Sequence, residues 1–264
     1  NTGCQGEDYV FEVAFDEENS SGNFEVVNAD DNSVLVSGNA SPITVTLVGN
    51  TSTTPFNIIV RDENDNDCAS ESVEVTPEDC SPLICVNVGD LVITEIMQNP
   101  LAVGDTDGEW FEIYNPTNSD IDLNGYIIRD AGSNSHEIQS SVIVPSNGYT
   151  VLGNNADITT NGGVSVDYEY SSFTLGNTDD EVIIECSGIT IDSVGYDGGT
   201  NFPNPTGASM SLNPDNLNAI DNDNGENWCE ASAPFGDGDL GTPGSANDAC
   251  PECMISNVSI QNDD

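Results

Sequence analysis

LVITEIMQNP (Leu91–Pro100) and GEWFEIYNPTNSDIDLNGYIIRD (Gly108–Asp130) read as strands of one β-sandwich joined by an acidic loop. Each contains short apolar runs bounded by Asn, Pro, Gly and Asp, a pattern that favours strands over helices. Side chains alternate along a strand, so in EWFEIY Glu109 and Phe111 face one side while Trp110, Glu112 and Tyr114 face the other. Glu112 is therefore expected on the face of the large apolar residues. Glu95, in ITEIM, has the same setting within its own strand. A half-buried carboxylate without a basic partner is costly. The pair must be satisfied either by a cation or by backbone N–H groups.

The same punctuation continues in both directions. Upstream, Tyr9–Phe15, Phe24–Asn28, Val34–Ser37, Ile43–Val48, Phe56–Arg61 and Ser72–Val75 alternate apolar residues between turn-forming clusters such as DEENSSG and RDENDNDC. Short strands at a spacing of about 8–12 residues predict an immunoglobulin-like sandwich. Downstream, strands are expected at Gly125–Asp130, His136–Ile138, Tyr149–Leu152, Tyr168–Tyr170, Glu181–Glu185 and Thr190–Tyr196. No segment sustains the i, i+3, i+4, i+7 spacing of an amphipathic helix. The expected chain is all-β, with two consecutive immunoglobulin-like sandwiches at 1–80 and 86–248, a stiff Pro/Cys linker at 81–85, and the start of a following module at 249–264.

ITEIMQNP, EWFEIYNPT, IDLNGYIIRD, SFTLGNTDDEVIIE, DSVGYD and NWCEAS…GDGDLGTPGSAN follow one another between Leu91 and Asn247. In this order the six blocks resemble bacterial lamin-tail domains. The resemblance implies an immunoglobulin-like binding or scaffolding module, of a kind found in nuclear lamins, bacterial surface proteins and secreted hydrolases. Unlike a lamin, this chain has no coiled-coil rod. The first 80 residues resemble, in pattern only, the cysteine-tied immunoglobulin-like modules of secreted Bacteroidetes surface proteins.

Charge removes several function classes. The chain has 47 acidic residues against Arg61 and Arg129, a formal charge of -45. Such a surface repels nucleic-acid phosphates and anionic membranes. No apolar run approaches the roughly 18 residues of a membrane span. The acids suit either a solvated surface that holds bulk cations or specific Ca²⁺ sites, since Ca²⁺ takes several oxygen ligands. The candidate ligands, besides Glu95 and Glu112, are Asp105, Asp107 and Glu109 in GDTDGE, Asp221 and Asp223 in DNDNGEN, and Asp237 and Asp239 in FGDGDLG. None of these loops has EF-hand spacing, and Asx turns account for the same composition without metal.

Eight cysteines without a redox or zinc pattern fit disulfides and an oxidising compartment. The pairing expected is Cys4–Cys68, Cys186–Cys229, Cys80–Cys85 and Cys250–Cys253, one of 105 arrangements that eight cysteines permit. The sequons at Asn19, Asn39 and Asn50 are what a chain this rich in Asn, Ser and Thr produces by composition.

Catalytic constellations are weak. His136 is the sole histidine and sits on a strand expected to be exposed, no GxSxG elbow is present, and carboxylate pairs such as Glu109 and Glu112 arise by chance among so many acids. Sugar binding would need an exposed row among Trp110, Tyr126, Tyr149 and Trp228, whereas alternation places Trp110 in the core. The expected function is non-enzymatic: a structural or adhesive module of a large exported, tandem-repeat surface protein, with neighbouring modules and a surface glycan or protein as partners. The alternative is an accessory domain of a secreted hydrolase whose catalytic domain lies elsewhere. The start at Asn1 and the strand-like CPECMISNVSIQNDD at the other end suggest one period of a processed tandem array.

Overall fold

The structure, a computed structural model, describes residues 2–251 apart from 19, 79 and 82. The expected start of a following module, Cys253, and the Asn19 sequon fall on residues outside that description. The chain forms two compact units, one ending at Ile84 and one beginning at Cys85.

The first unit contains β1 (Gly3–Gln5), β2 (Asp8–Val13), β3 (Phe24–Asn28), β4 (Val34–Gly38), β5 (Ile43–Leu47), β6 (Phe56–Asp62), β7 (Asp65–Ala69) and β8 (Val73–Val75). One sheet runs β1-β2-β5; the other runs β4-β3-β6-β7, with β8 also on β6. Alternate residues from both sheets meet in one core: Tyr9 and Phe11 from β2 and Val45 from β5 face Val26 from β3 and Ile58 from β6. This is the two-layer solution expected of period-2 sequences that bury one face.

The second unit follows with β9 (Val92–Met97), α1 (Asp105–Gly108), β10 (Trp110–Tyr114), β11 (Ile121–Asp122), β12 (Ile127–Arg129), β13 (Ser135–Glu137), β14 (Ile143–Val144), β15 (Tyr149–Gly153), β16 (Tyr168–Glu169), β17 (Asp179–Cys186), β18 (Ile189–Asp197), β19 (Met210–Leu212) and β20 (Trp228–Glu230). A six-stranded sheet, β16-β15-β10-β9-β19-β20, packs on a four-stranded sheet, β13-β12-β17-β18, while β11 and β14 pair separately. Helical structure among the described residues is limited to α1 and three short 3-10 turns, and no helix there is long and apolar enough to cross a membrane. The chain is thus all-β, as its punctuation predicts. The sequence reading had no strand at β19 or β20, where three-residue runs are too short to show a period.

The principal core lies between the two sheets, with Ile96, Phe111, Ile113 and Leu152 meeting Ile128, Val182, Ile184 and Val194. Asp192, on β18, reaches across and accepts from the Ile93 N–H at 2.7 Å. Asn222 donates to the same carboxylate and to the Ile93 carbonyl.

The cysteine pairing differs from expectation at every described position. Cys4 joins Cys80, Cys85 joins Cys186, and Cys229 joins Cys250. Cys68 is a free, exposed thiol. It lies on β7 in the sheet opposite β1, so Cys4 instead meets the chain returning at Cys80. Cys80 and Cys85 belong to different units and each is used within its own. Cys186 ends β17 in one sheet and Cys229 lies on β20 in the other, which separates that predicted pair. Cys250 is taken by Cys229, so the predicted local clip to Cys253 does not form.

Candidate functional site

The two acids singled out in the opening strands are brought together. Glu95 on β9 and Glu112 on β10 are register partners, and both are fully buried. A β-bulge makes this possible. The ladder pairs Met97 with Trp110, Ile96 with Phe111, Glu95 with Glu112, then Ile93 with Ile113, leaving Thr94 as the extra residue. An inserted residue resets which side chains face which side. Ile93 and Ile96 therefore both serve the principal core, while Glu95 and Met97 turn to the opposite face.

That opposite face is a second, smaller core. Met97, Trp110, Val151 and Val164 pack there, and Phe235 meets Trp110 edge-on with ring centroids 5.8 Å apart. Trp110 is thus a core residue, as alternation predicts. The C-terminal strap, Gly241–Asn247, closes the same face over the acids. Glu95 accepts from the Thr242 N–H at 2.9 Å and its hydroxyl at 3.1 Å, and from Ser209 and Ser211 on and beside β19. Glu112 accepts from the Thr94 hydroxyl at 2.7 Å and the Gly244 N–H at 2.8 Å. Asn247 donates to the Thr94 and Leu212 carbonyls and accepts from the Thr242 hydroxyl, pinning the strap to β9 and β19. At Gly241 a Cβ would stand 3.0 Å from Glu95 Oε1 and 3.1 Å from the Phe235 ring, so a methyl group there would press on both.

Burial raises the pKa of both carboxyls, opposed by their hydroxyl and N–H donors. Glu112 is raised well above its ordinary value, with the neighbouring Glu95 charge adding to burial. Two like charges in contact within a low-dielectric site favour protonation of at least one. Chemically the pair is a sealed hydrogen-bonding node rather than an open acid-base site.

The other predicted ligands are dispersed. Glu109 is buried and accepts from the Leu175 N–H; burial pushes its carboxyl up to about 7, with Asp105 and Asp180 adding. Asp105 lies on α1 and accepts from the Asn177 amide, whereas Asp107 is exposed. Asp221 and Asp223 belong to a 3-10 turn, where Asp221 bonds Asn218 and Asp223 faces solvent. Asp239 is buried and accepts from the Leu101 and Ala102 N–H groups, while Asp237 two residues away is exposed. Among the described residues no group of three His, Cys, Asp or Glu side chains is placed to hold a metal ion.

His136 is half-buried rather than exposed. Its Nε2 lies 2.8 Å from the Tyr168 hydroxyl and its Nδ1 3.4 Å from the Ser171 hydroxyl. The nitrogen away from the serine meets a phenol instead of a carboxylate, so the relay of a Ser-His-acid triad is not assembled. Of the aromatics considered for sugar stacking, Trp110, Tyr126 and Trp228 are buried. The residues that sequence reasoning missed are Ser209, Ser211, Thr242, Gly244 and Asn247. Their only signal was the GTPGSAN block itself.

Two packed, mainly antiparallel sheets, with an acid pair sealed by a strap, define an immunoglobulin-like β-sandwich. The Lamin Tail Domain family model matches residues 87–198, so this segment is a lamin tail domain. The match includes both glutamates and stops before β19, β20 and the strap that complete their site. No curated protein matches the chain. No solved structure matches it either.

Proposed function

We propose that the chain is a non-catalytic spacer or adhesive segment of an exported bacterial surface protein. One observation carries this reading: Glu95, Glu109 and Glu112, the buried acids of the matched segment, are consumed by the scaffold's own backbone and hydroxyl donors. They hold the sheet and strap together and are not presented to a substrate. Three disulfides among the described residues support an oxidising compartment. The exposed acids relieve their mutual repulsion through bulk cations, with binding surfaces at loop tips for a glycan or protein.

Protease shaving of intact source cells tests the location. The expected result is release of peptides from this chain while a cytosolic marker stays intact. Protection of the chain in intact cells would overturn the reading.

A further inference from the structure

Two adjoining hollows on the first sandwich share Phe15, Val60 and Ser70. The larger, of about 300 Å³, is mainly apolar, with Phe11 and Val13 from β2, Ile58 from β6, and Val73 and Val75 from β8. Val73 is 61% exposed, and Val13 and Phe15 are only half-buried. The smaller, of about 210 Å³, is lined by Phe15, Phe24 and three consecutive exposed acids, Asp16, Glu17 and Glu18. Its other charged groups are already engaged. Arg61 pairs with Glu25 at 2.8 Å, and Asp62 accepts from the Ser21 N–H and hydroxyl and from the Asn64 N–H. Negative charge therefore stands beside solvated apolar surface. The Phe15 N–H donates to the Ser41 hydroxyl, so a ligand here meets side chains and not a free strand edge.

These features define the occupant. Apolar groups gain about 25 cal/mol per Å² on leaving water, which favours aliphatic or aromatic side chains in the larger hollow. The acids of the smaller one favour a cation, and a formal charge of -45 draws cationic partners in and repels anionic ones. Each hollow is at or below the low end of compact small-molecule sites, about 300–1,000 Å³. A chain laid across both suits them better than one compact ligand. A second copy cannot supply the charge. The only basic side chains, Arg61 and Arg129, are already paired with Glu25 and Glu185.

We propose that the two hollows form one groove that binds an extended peptide of a partner protein. Its apolar side chains rest against Val13 and Val73, and its Lys or Arg side chains lie beside Asp16, Glu17 and Glu18. Protection of the chain in intact cells would leave this binding untouched, because the groove's chemistry does not depend on location.

Synthetic peptides test this on the full chain. Acetyl-Ile-Leu-Phe-Lys-Arg-Lys-amide and its reversed sequence probe both directions along the groove, and acetyl-Gly-Ser-Gly-Lys-Arg-Lys-amide keeps the charge without the apolar side chains. The titrations use about 0.15 M salt, which screens long-range attraction to the acidic surface. One of the first two peptides should give saturable NMR methyl shifts at Val13, Val60 and Val73. It should also slow alkylation of the exposed Cys68 thiol, which lines the acidic hollow. It should bind about ten-fold more tightly than the Gly-Ser control, as burial of one apolar side chain requires. D16N/E17Q/E18Q should weaken binding roughly five-fold, and V73N should weaken it too, each without lowering Tm. The proposal is overturned if neither peptide binds, or if the shifts spread over the surface without saturating. Equal affinity for the control peptide, or affinity unchanged in either variant, overturns it as well.

Discussion

Glu95 and Glu112 face each other across β9 and β10, and each accepts an N–H from the same strap: Thr242 for Glu95 and Gly244 for Glu112. The strap therefore works as a lid over two carboxyls that water would otherwise solvate. Losing it would expose both together, so closure and carboxylate burial should be cooperative.

Stability should fall as pH rises. Burial pushes Glu109 and Asp192 each up to about 7 and raises Glu95 and Glu112 as well. Unfolded carboxyls titrate near pH 4. Between about pH 4 and 7 the folded state thus holds protons that the unfolded state has released, and stability declines with pH. It is complete below about pH 4 and lost through pH 7. Surface repulsion acts in the same direction, so the test is a difference in slope. E109Q and D192N should flatten the Tm-against-pH curve between pH 5 and 8, and the exposed control D107N should not.

The two glutamates should respond differently to neutral replacement. In E112Q the amide oxygen can still accept from Gly244 and the amide nitrogen can donate to Thr94, so the loss at pH 7 should be under about 1 kcal/mol. In E95Q an amide group faces several donors at once, and a loss of about 1–3 kcal/mol is expected. Urea unfolding followed by tryptophan fluorescence measures both. A larger cost for E112Q than for E95Q would contradict the assigned partners.

The strap should be sensitive at two small residues. N247A leaves the Thr94 and Leu212 carbonyls without their buried donor and should cost about 2 kcal/mol or more. G241A drives a methyl group against Glu95 and the Phe235 ring and should cost about 1–3 kcal/mol. Raised hydrogen exchange confined to the strap and β19 would show where the loss falls.

Non-reducing peptide mapping should recover Cys4–Cys80, Cys85–Cys186 and Cys229–Cys250, with Cys68 alkylated without reductant. Cys85 and Cys186 are 101 residues apart and Cys229 and Cys250 only 21. In the chain-entropy account the first bridge contributes about 4–5 kcal/mol and the second about 3 kcal/mol. C85S/C186S should accordingly unfold at lower denaturant than C229S/C250S.

Cation stabilisation should be diffuse. CaCl2 and MgCl2 should raise Tm gradually and alike at matched ionic strength, through screening of the acidic surface. A saturable rise specific to Ca²⁺ would instead reveal a dedicated site, because a ligand that binds only the folded state stabilises by mass action.

Much of this architecture was legible locally. Alternation in YVFEVAF and EWFEIY gave strands, turn clusters gave their ends, and the inward placement of Trp110 and Glu112 followed from period 2 alone. The same rule failed at Thr94. A single bulge residue is invisible to a periodicity count, yet it sets which face Ile93 and Glu95 occupy. β19 was missed because three residues carry no period, and with it went Ser209 and Ser211.

By itself, then, the sequence determined the all-β class and the placement of two glutamates among apolar neighbours, because these depend on residues adjacent in the chain. The tertiary structure alone decided the cysteine partners, the facing of Glu95 and Glu112, and the strap that closes over them. Those contacts join positions up to 153 residues apart, as between Thr94 and Asn247. Which distant groups meet is set by strand register and chain reversal, and neither is written in the local pattern.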